Sequence, residues 1–331
     1  MQELHKRGIQ ILKAKFGLLS NNRELIYNPE FFEDPNYIQC MRTGIRKVED
    51  IPFSDDLDAY IYVYDVKDVP PTVTVTEREI RVVGNISELD AKMSDRRYSL
   101  FGNVGLLFRY MLVTLERYHD IFTLHSSTMY NPEENDLMLL VGGPGAGKTC
   151  LLMEGLKRNY QMFSTEMTHV SFEDGKCLFY KGSLIDNVRV GNFVYDFPEI
   201  PPLLGLELPK VDDVWGTKIT IDLGSKETKE DILINPNLSL FFPKIESGRQ
   251  EAIFGDVKDK RRIVTALFDN ANEKIAQTIV YYDSFAVGCL DSPDLWQKRL
   301  KAMEKLVYGE YVPIKRAKTI LASPTKCLKE V

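Results

Sequence analysis

The chain has 331 residues, enough for one large domain or two of ordinary size. Its 44% apolar and 27% charged residues are ordinary for a soluble globular protein and exclude a disordered or low-complexity chain. A formal charge of −6 argues against a general nucleic-acid or anionic-membrane partner.

From the start of the chain, Met1–Phe16 carries Lys6, Arg7, Lys13 and Lys15 and lacks the long apolar core of a signal peptide, so Met1–Lys15 reads as a short basic helix. Tyr27–Tyr37 is rich in turn residues and aromatics. Between Ala59 and Val83 the segments AYIYVYDV, TVTVT and EIRVVG are β-branched, aromatic and partly alternating, the pattern of three short strands, with Pro70-Pro71 separating the first two. Residues 1–100 therefore read as a small β-rich domain. Ser99–Tyr118 follows as a helix with Leu107, Phe108, Met111, Leu112 and Leu115 at helical spacing, a core-packing stripe.

Ile121–Tyr130 reads as a strand, Asn131–Asn135 as a turn and Leu137–Val141 as a second strand, which together make an antiparallel hairpin. Gly142–Thr149 (GGPGAGKT) matches G-x-x-x-x-G-K-[ST], and a helix follows over Cys150–Asn159. Strand, glycine-rich loop and helix in that order make a P-loop. The loop residues Gly142, Gly143, Pro144, Gly145, Ala146 and Gly147, with Cys150 after them, would turn backbone N–H groups toward phosphate oxygens at a positive helix end. Lys148 would reach the β- and γ-phosphates, and the Thr149 hydroxyl would ligate Mg²⁺. Because the loop strand is fed by a hairpin, its sheet is expected to be mixed, in an α/β fold with an α+β tendency.

Further on, Gln161–Ser164 is a short strand ending in Thr165-Glu166, and Thr168–Phe172 and Cys177–Tyr180 flank a Glu-Asp-Gly-Lys turn. Asp196–Pro209 holds four prolines and is expected to be irregular; a gate over an acceptor site is one role for it. Lys218–Asp222, Asp231–Ile234, Leu238–Phe242 and Gln277–Asp283 read as strands, and Lys258–Ala276 and Asp294–Val307 as helices. The P-loop domain is placed at 101–312. After it comes a tail, 313–331, whose Lys315, Arg316, Lys318, Lys326 and Lys329 suggest a solvated end.

Cys40, Cys150, Cys177, Cys289 and Cys327 are scattered with no C-x-x-C pair, a reducing-compartment pattern and neither a disulfide framework nor a zinc site. There is no apolar run of about 18 residues, so no membrane partner is expected, and the cytoplasm is the expected location. The oligomeric state is left open, a homo-oligomer included.

A P-loop that uses Mg²⁺ needs a carboxylate at the carboxyl end of a nearby strand. Glu166, Asp222 and Asp283 each close an apolar run. The Walker B pattern favours Asp283. Connectivity favours Glu166, because the strand after the P-loop helix commonly lies beside the P-loop strand. Arg189 and Arg249 are candidates for a second cation on the phosphates.

The segment LHSSTM (Leu124–Met129), LMLLVGGPGAGKTCLL and FSTEMTHVSFEDGKCLFYKGS (Phe163–Ser183) resembles the core of the HPr kinase/phosphorylase superfamily and its kinase-like relatives, which share the phosphoenolpyruvate carboxykinase fold. The match covers about 60 residues well, and LFFPKI (Leu240–Ile245) resembles a later strand of the relatives. The resemblance implies an ATP-dependent kinase that moves the γ-phosphoryl group to a hydroxyl of a protein, peptide or small molecule. It places His125 at the family histidine, Gly142–Thr149 at the P-loop and Glu166 at the surviving acid of an acidic pair, as base or metal ligand. Two departures point to a divergent relative: Thr165 stands where the family has an acid, and the downstream arginine-glycine signature is missing. A P-loop ATPase or nucleotide-dependent switch, and a degenerate nucleotide-binding scaffold, are the alternative readings.

Overall fold

His5–Ile11 and Ala14–Ser20 pair as an antiparallel hairpin, in place of the basic helix expected there. Ile9, Ile11, Ala14, Phe16 and Leu18 are all buried at strand spacing, while Lys15 faces out, so the period-two apolar pattern overrides the local run of positive charge. Gly8 is required by this pairing, since a Cβ would lie 2.5 Å from the Ile51 carbonyl oxygen of the adjacent strand. These features come from a computed structural model that describes residues 3–34, 37 and 40–327. Pro35, Asn36, Ile38 and Gln39 within Tyr27–Tyr37 and beyond it, and the last four residues of the expected tail, lie outside them.

The chain divides into two units, Met1–Asp120 with Lys274–Leu295 and Ile121–Glu273 with Trp296–Val331. The division falls after the helix Leu106–His119 and not near residue 100. In the first unit a six-stranded sheet runs in the order Glu49–Ile51, His5–Ile11, Ala14–Ser20, Ala59–Asp65, Glu79–Gly84, Thr72–Val75. The last three are the strands read from Ala59 to Val83. Leu106–His119 belongs to this unit and is buried from Leu106 to Glu116. Its Arg109 is 1% exposed and donates to the carbonyls of Lys274 and Ile275 at 3.1 Å each, and to the Tyr281 hydroxyl at 3.3 Å. A buried guanidinium is tolerable only with such partners, and these bonds tie Lys274–Tyr281 to the first unit. Within that stretch the expected strand Gln277–Asp283 shortens to Ile279–Tyr281, paired with Phe285–Val287.

The second unit is built on a mixed six-stranded sheet in the order Gln161–Ser164, Ser126–Asn131, Asp136–Val141, Asn237–Ile245, Ile314–Ala322, Ile253–Asp256. Ser126–Asn131 and Asp136–Val141 form the antiparallel hairpin, with Ser126 opposite Val141 and Asn131 opposite Asp136. Asp136–Val141 then pairs in parallel with Asn237–Ile245, which pairs in parallel with Ile314–Ala322. Both units are therefore mixed α/β structures.

Gln161–Ser164 does not lie beside the loop strand; it pairs antiparallel with Ser126–Asn131. The hairpin already occupies that edge of Asp136–Val141, so the next strand can add only beyond it. The basic tail is also no solvated end over 314–322. Ala317, Ile320 and Ala322 are buried in the sheet, while Lys315 meets Glu134 at 3.1 Å and Arg316 meets Asp136 at 3.5 Å.

A second, antiparallel sheet holds Ile232–Ile234, Lys176–Tyr180, Thr168–Glu173 and Phe122–Leu124 in that order. The strand expected over Ile121–Tyr130 is thus split. Phe122–Leu124 belongs to one sheet and Ser126–Asn131 to the other, and His125 sits at the junction. The proline-rich stretch is less irregular than expected, with a short helix Ile200–Leu204 that accommodates Pro201 and Pro202 in its first turn. The helix Lys148–Lys157 buries Leu151, Leu152, Met153 and Leu156, each contributing roughly 1.5–3 kcal/mol. That burial anchors the helix whose first turn carries Lys148 and Thr149.

His169, opposite Thr123 in the second sheet, has its Nδ1 2.8 Å from the Thr123 hydroxyl. Burial pushes its pKa down to about 4. Between pH 6.5 and 4 the unfolded chain binds this proton and the folded chain does not, so stability falls as pH falls through that window. The expected loss is about 3 kcal/mol at pH 4. Chemical denaturation of wild type and His169→Gln across this range checks it, the variant showing the flatter acid limb.

Candidate functional site

The loop strand Asp136–Val141 is buried along its whole length and delivers the chain at the carboxyl edge of the parallel strands. There Gly145 and Gly147 take left-handed φ values of +80° and +96°. Gly147 has a second reason to be glycine, because a Cβ would come within 2.2 Å of Ile245 Cγ1. The Ile245 amide donates to the Ala146 carbonyl at 3.0 Å and pins the loop to the neighbouring strand. The helix then starts at Lys148, so its free N–H groups open where the loop ends.

Lys148 is 9% exposed, and its Nζ donates to the Gly142 carbonyl at 2.5 Å and the Gly143 carbonyl at 3.2 Å. It also lies 3.4 Å from His125 Nε2. On the other side of that ring, Nδ1 is 2.8 Å from Glu273 Oε2. The Glu273 carboxylate accepts a hydrogen bond from Nδ1–H, which leaves Nε2 as the acceptor facing Lys148. The His125 carbonyl accepts from Asn270 Nδ2 at 2.9 Å, so the helix Lys260–Asn272 and the residue after it hold both the backbone and the ring of the histidine.

Thr149 does not meet the acid that the sequence favoured. Its hydroxyl donates to Asp186 Oδ2 at 3.1 Å. Asp186 stands on the strand Ile185–Arg189, and its Oδ1 accepts from the Asn187 amide at 2.7 Å. Burial among protein atoms, and after it the negative charge of Glu166, push Asp186 up to about 6, against the Thr149 and Asn187 hydrogen bonds and the Lys148 charge. Glu166 is near enough to act on Asp186 and has Oε1 3.9 Å from His125 Nε2. Two carboxylates therefore flank the loop. Thr165, the residue that breaks the acidic pair in the sequence, donates its hydroxyl to the carbonyls of Ser183 (3.0 Å) and Ile185 (2.9 Å). It fastens the strand that brings Asp186 in, and so the second carboxylate comes from another segment.

Asp222 is exposed and caps the Gly224 amide at 2.8 Å. Asp283 belongs to the first unit, in the turn of its two-stranded hairpin. Arg249 is bound by Glu246 at 2.8 Å. Arg189 does reach the loop's surroundings. A cleft of about 450 Å³ is lined on one side by Gly145–Cys150 and on the other by Asn187, Arg189, Trp215 and Lys218. Cys150 contributes no thiolate to it, since burial, then Asp196 and Asp186, push its thiol up to about 12.

Among the described residues no group of three or more His, Cys, Asp or Glu could hold a metal by itself. Mg²⁺ at a nucleotide asks for less, because water and phosphate oxygens complete its shell. Thr149 and Asp186 are a donor pair that could hold it. Sequence reasoning missed Asp186 and Glu273, since neither ends an apolar strand. No family model matches the chain, and no curated protein matches it. Among the described residues no helix is long and apolar enough to cross a membrane.

Proposed function

We propose that the chain binds ATP with Mg²⁺ at Gly142–Thr149 and transfers the γ-phosphoryl group to a hydroxyl, as a divergent relative of the HPr kinase/phosphoenolpyruvate carboxykinase type. The observation that carries this reading is the meeting of Lys148, Thr149, Asp186, Glu166 and His125 around one glycine-rich loop. The hairpin-fed mixed sheet around the loop supports it as well.

In this reading the loop amides and the helix N-terminus cradle the phosphates, and Lys148 moves from the Gly142 and Gly143 carbonyls to the β- and γ-phosphates. Thr149 and Asp186 would hold Mg²⁺, which would supply neutralisation of the phosphate charge. Glu166 accepts the proton of the acceptor hydroxyl as its oxygen bonds the γ-phosphorus and ADP departs. His125, oriented by Glu273, keeps Lys148 and Glu166 apart and in register with the γ-phosphate. Phosphoryl transfer asks mostly for this positioning and charge neutralisation.

Following the label of γ-³²P-ATP in the presence of Mg²⁺ and candidate hydroxyl acceptors tests the proposal. Label on an acceptor is the expected result. Label found only as inorganic phosphate would mark an ATPase or nucleotide-dependent switch instead, and ATP bound but unconsumed would mark a scaffold.

A further inference from the structure

The cleft beside the loop extends along the strand Ile185–Arg189 to a wall that phosphoryl transfer does not use. We infer that this wall holds the nucleoside end of the nucleotide: a purine base stacks on Trp215, and Arg189 and Lys218 neutralise the phosphate nearest the ribose. This rests on the nucleotide reading above.

Three observations carry it. First, Trp215 is 40% exposed at the cleft, and Tyr195, 64% exposed, stacks against it with planes 20° apart and centroids 5.8 Å apart. Two large aromatic rings left open side by side are costly to hydrate and form a ready platform for a third ring. Second, the position of the indole is fixed. A Cβ on Gly191 would fall 2.5 Å from Trp215 Cδ2, so only glycine leaves room for the ring. Arg189 donates to the Trp215 carbonyl, which links the cation to the platform. Third, Arg189 and Lys218 are direct partners across the antiparallel pair Ile185–Arg189 and Lys218–Asp222. Like charges in that relation destabilise a ladder. Both are exposed, and among the described residues neither is in an ion pair, so an anion between them would relieve the repulsion.

Thr149 and Arg189 line the same cleft, so the metal position at the Thr149 hydroxyl and the cation pair open on one space. A triphosphate seated in the loop with its terminal phosphate at Lys148 would run past them toward Trp215. Stacking accepts any base, but a purine covers more of the indole than a pyrimidine does.

The chain has two tryptophans, so Trp296→Phe leaves Trp215 as the sole indole reporter. Into this protein, ATP, CTP and inorganic tripolyphosphate are titrated with Mg²⁺. ATP is expected to quench the emission and to bind roughly 10-fold more tightly than tripolyphosphate, with CTP between them. Tripolyphosphate should bind with little quenching. Calorimetry on Trp215→Ala should show ATP weakened to the tripolyphosphate level with tripolyphosphate unchanged, and Trp215→Phe should recover most of the loss. Equal binding of ATP and tripolyphosphate, unaffected by Trp215→Ala, overturns the inference and leaves the loop reading standing. Binding of neither overturns the loop reading itself and the inference with it.

Discussion

Lys148→Ala should lower phosphoryl transfer at least ~100-fold, the scale of losing one preorganised charge at a transition state. The side chain is almost fully enclosed, with its Nζ held between the Gly142 and Gly143 carbonyls beside His125. Its hydrogen bonds to the Gly142 and Gly143 carbonyls stay within its own loop, and thermal unfolding of the variant measures what its loss costs in stability. The folded core under the helix depends instead on Leu151, Leu152, Met153 and Leu156. Nucleotide binding should weaken as well, though by less, because the ammonium also contacts phosphate in the ground state. Lys148→Arg should not restore the rate, since a planar fork cannot take the place of a compact ammonium between two carbonyls and an imidazole. Initial rates with labelled ATP, taken alongside thermal unfolding, check the result. Wild-type turnover by the alanine variant would contradict it.

The second large effect separates the two carboxylates. Asp186→Asn and Glu166→Gln keep shape and remove charge, and each should cost at least ~100-fold in kcat. They should differ in everything else. Asp186 bonds the Thr149 hydroxyl, so its amide should raise the Mg²⁺ concentration needed for half-maximal rate. Glu166 stands behind, 3.9 Å from His125, so its amide should move the Mg²⁺ requirement and nucleotide affinity far less than Asp186→Asn does. Asp222→Asn should be near normal, because that carboxylate only caps a turn at the surface. Steady-state kinetics over a Mg²⁺ series decides the matter. An Mg²⁺ dependence shifted by Glu166→Gln and untouched by Asp186→Asn would reverse the assignment.

The glycine-rich loop was legible because its pattern is local, with strand, loop and helix contiguous in the chain. The hairpin before it was legible for the same reason, since an Asn-Pro turn between two apolar runs leaves few other options. Asp186 was not legible. It is the second residue of a short strand, IDNVR, and follows no apolar run. It reaches Thr149 because Ile185–Arg189 pairs with Lys218–Asp222 and because Thr165 ties Ser183 and Ile185 in place. Glu273 reaches His125 across 148 residues of chain. Contacts of that span leave no trace in spacing.

The N-terminal hairpin and the strand Ile314–Ala322 were misread for one shared reason. In both, clustered lysines and arginines drew attention away from apolar residues interleaved at strand spacing, and burial of those residues decided the structure. The position of Gln161–Ser164 was missed because the usual adjacency of successive strands assumes a vacant edge. Here the edge had been filled by the loop strand's own hairpin partner.

The central claim, that Gly142–Thr149 binds a nucleoside triphosphate, is tested most directly by calorimetric titration of ATP into the unsubstituted chain with Mg²⁺ present. The expected result is saturable binding at one ATP per chain, abolished by excess tripolyphosphate and strongly weakened in Lys148→Ala. Absence of binding at millimolar ATP, or binding that Lys148→Ala leaves unchanged, would contradict the claim.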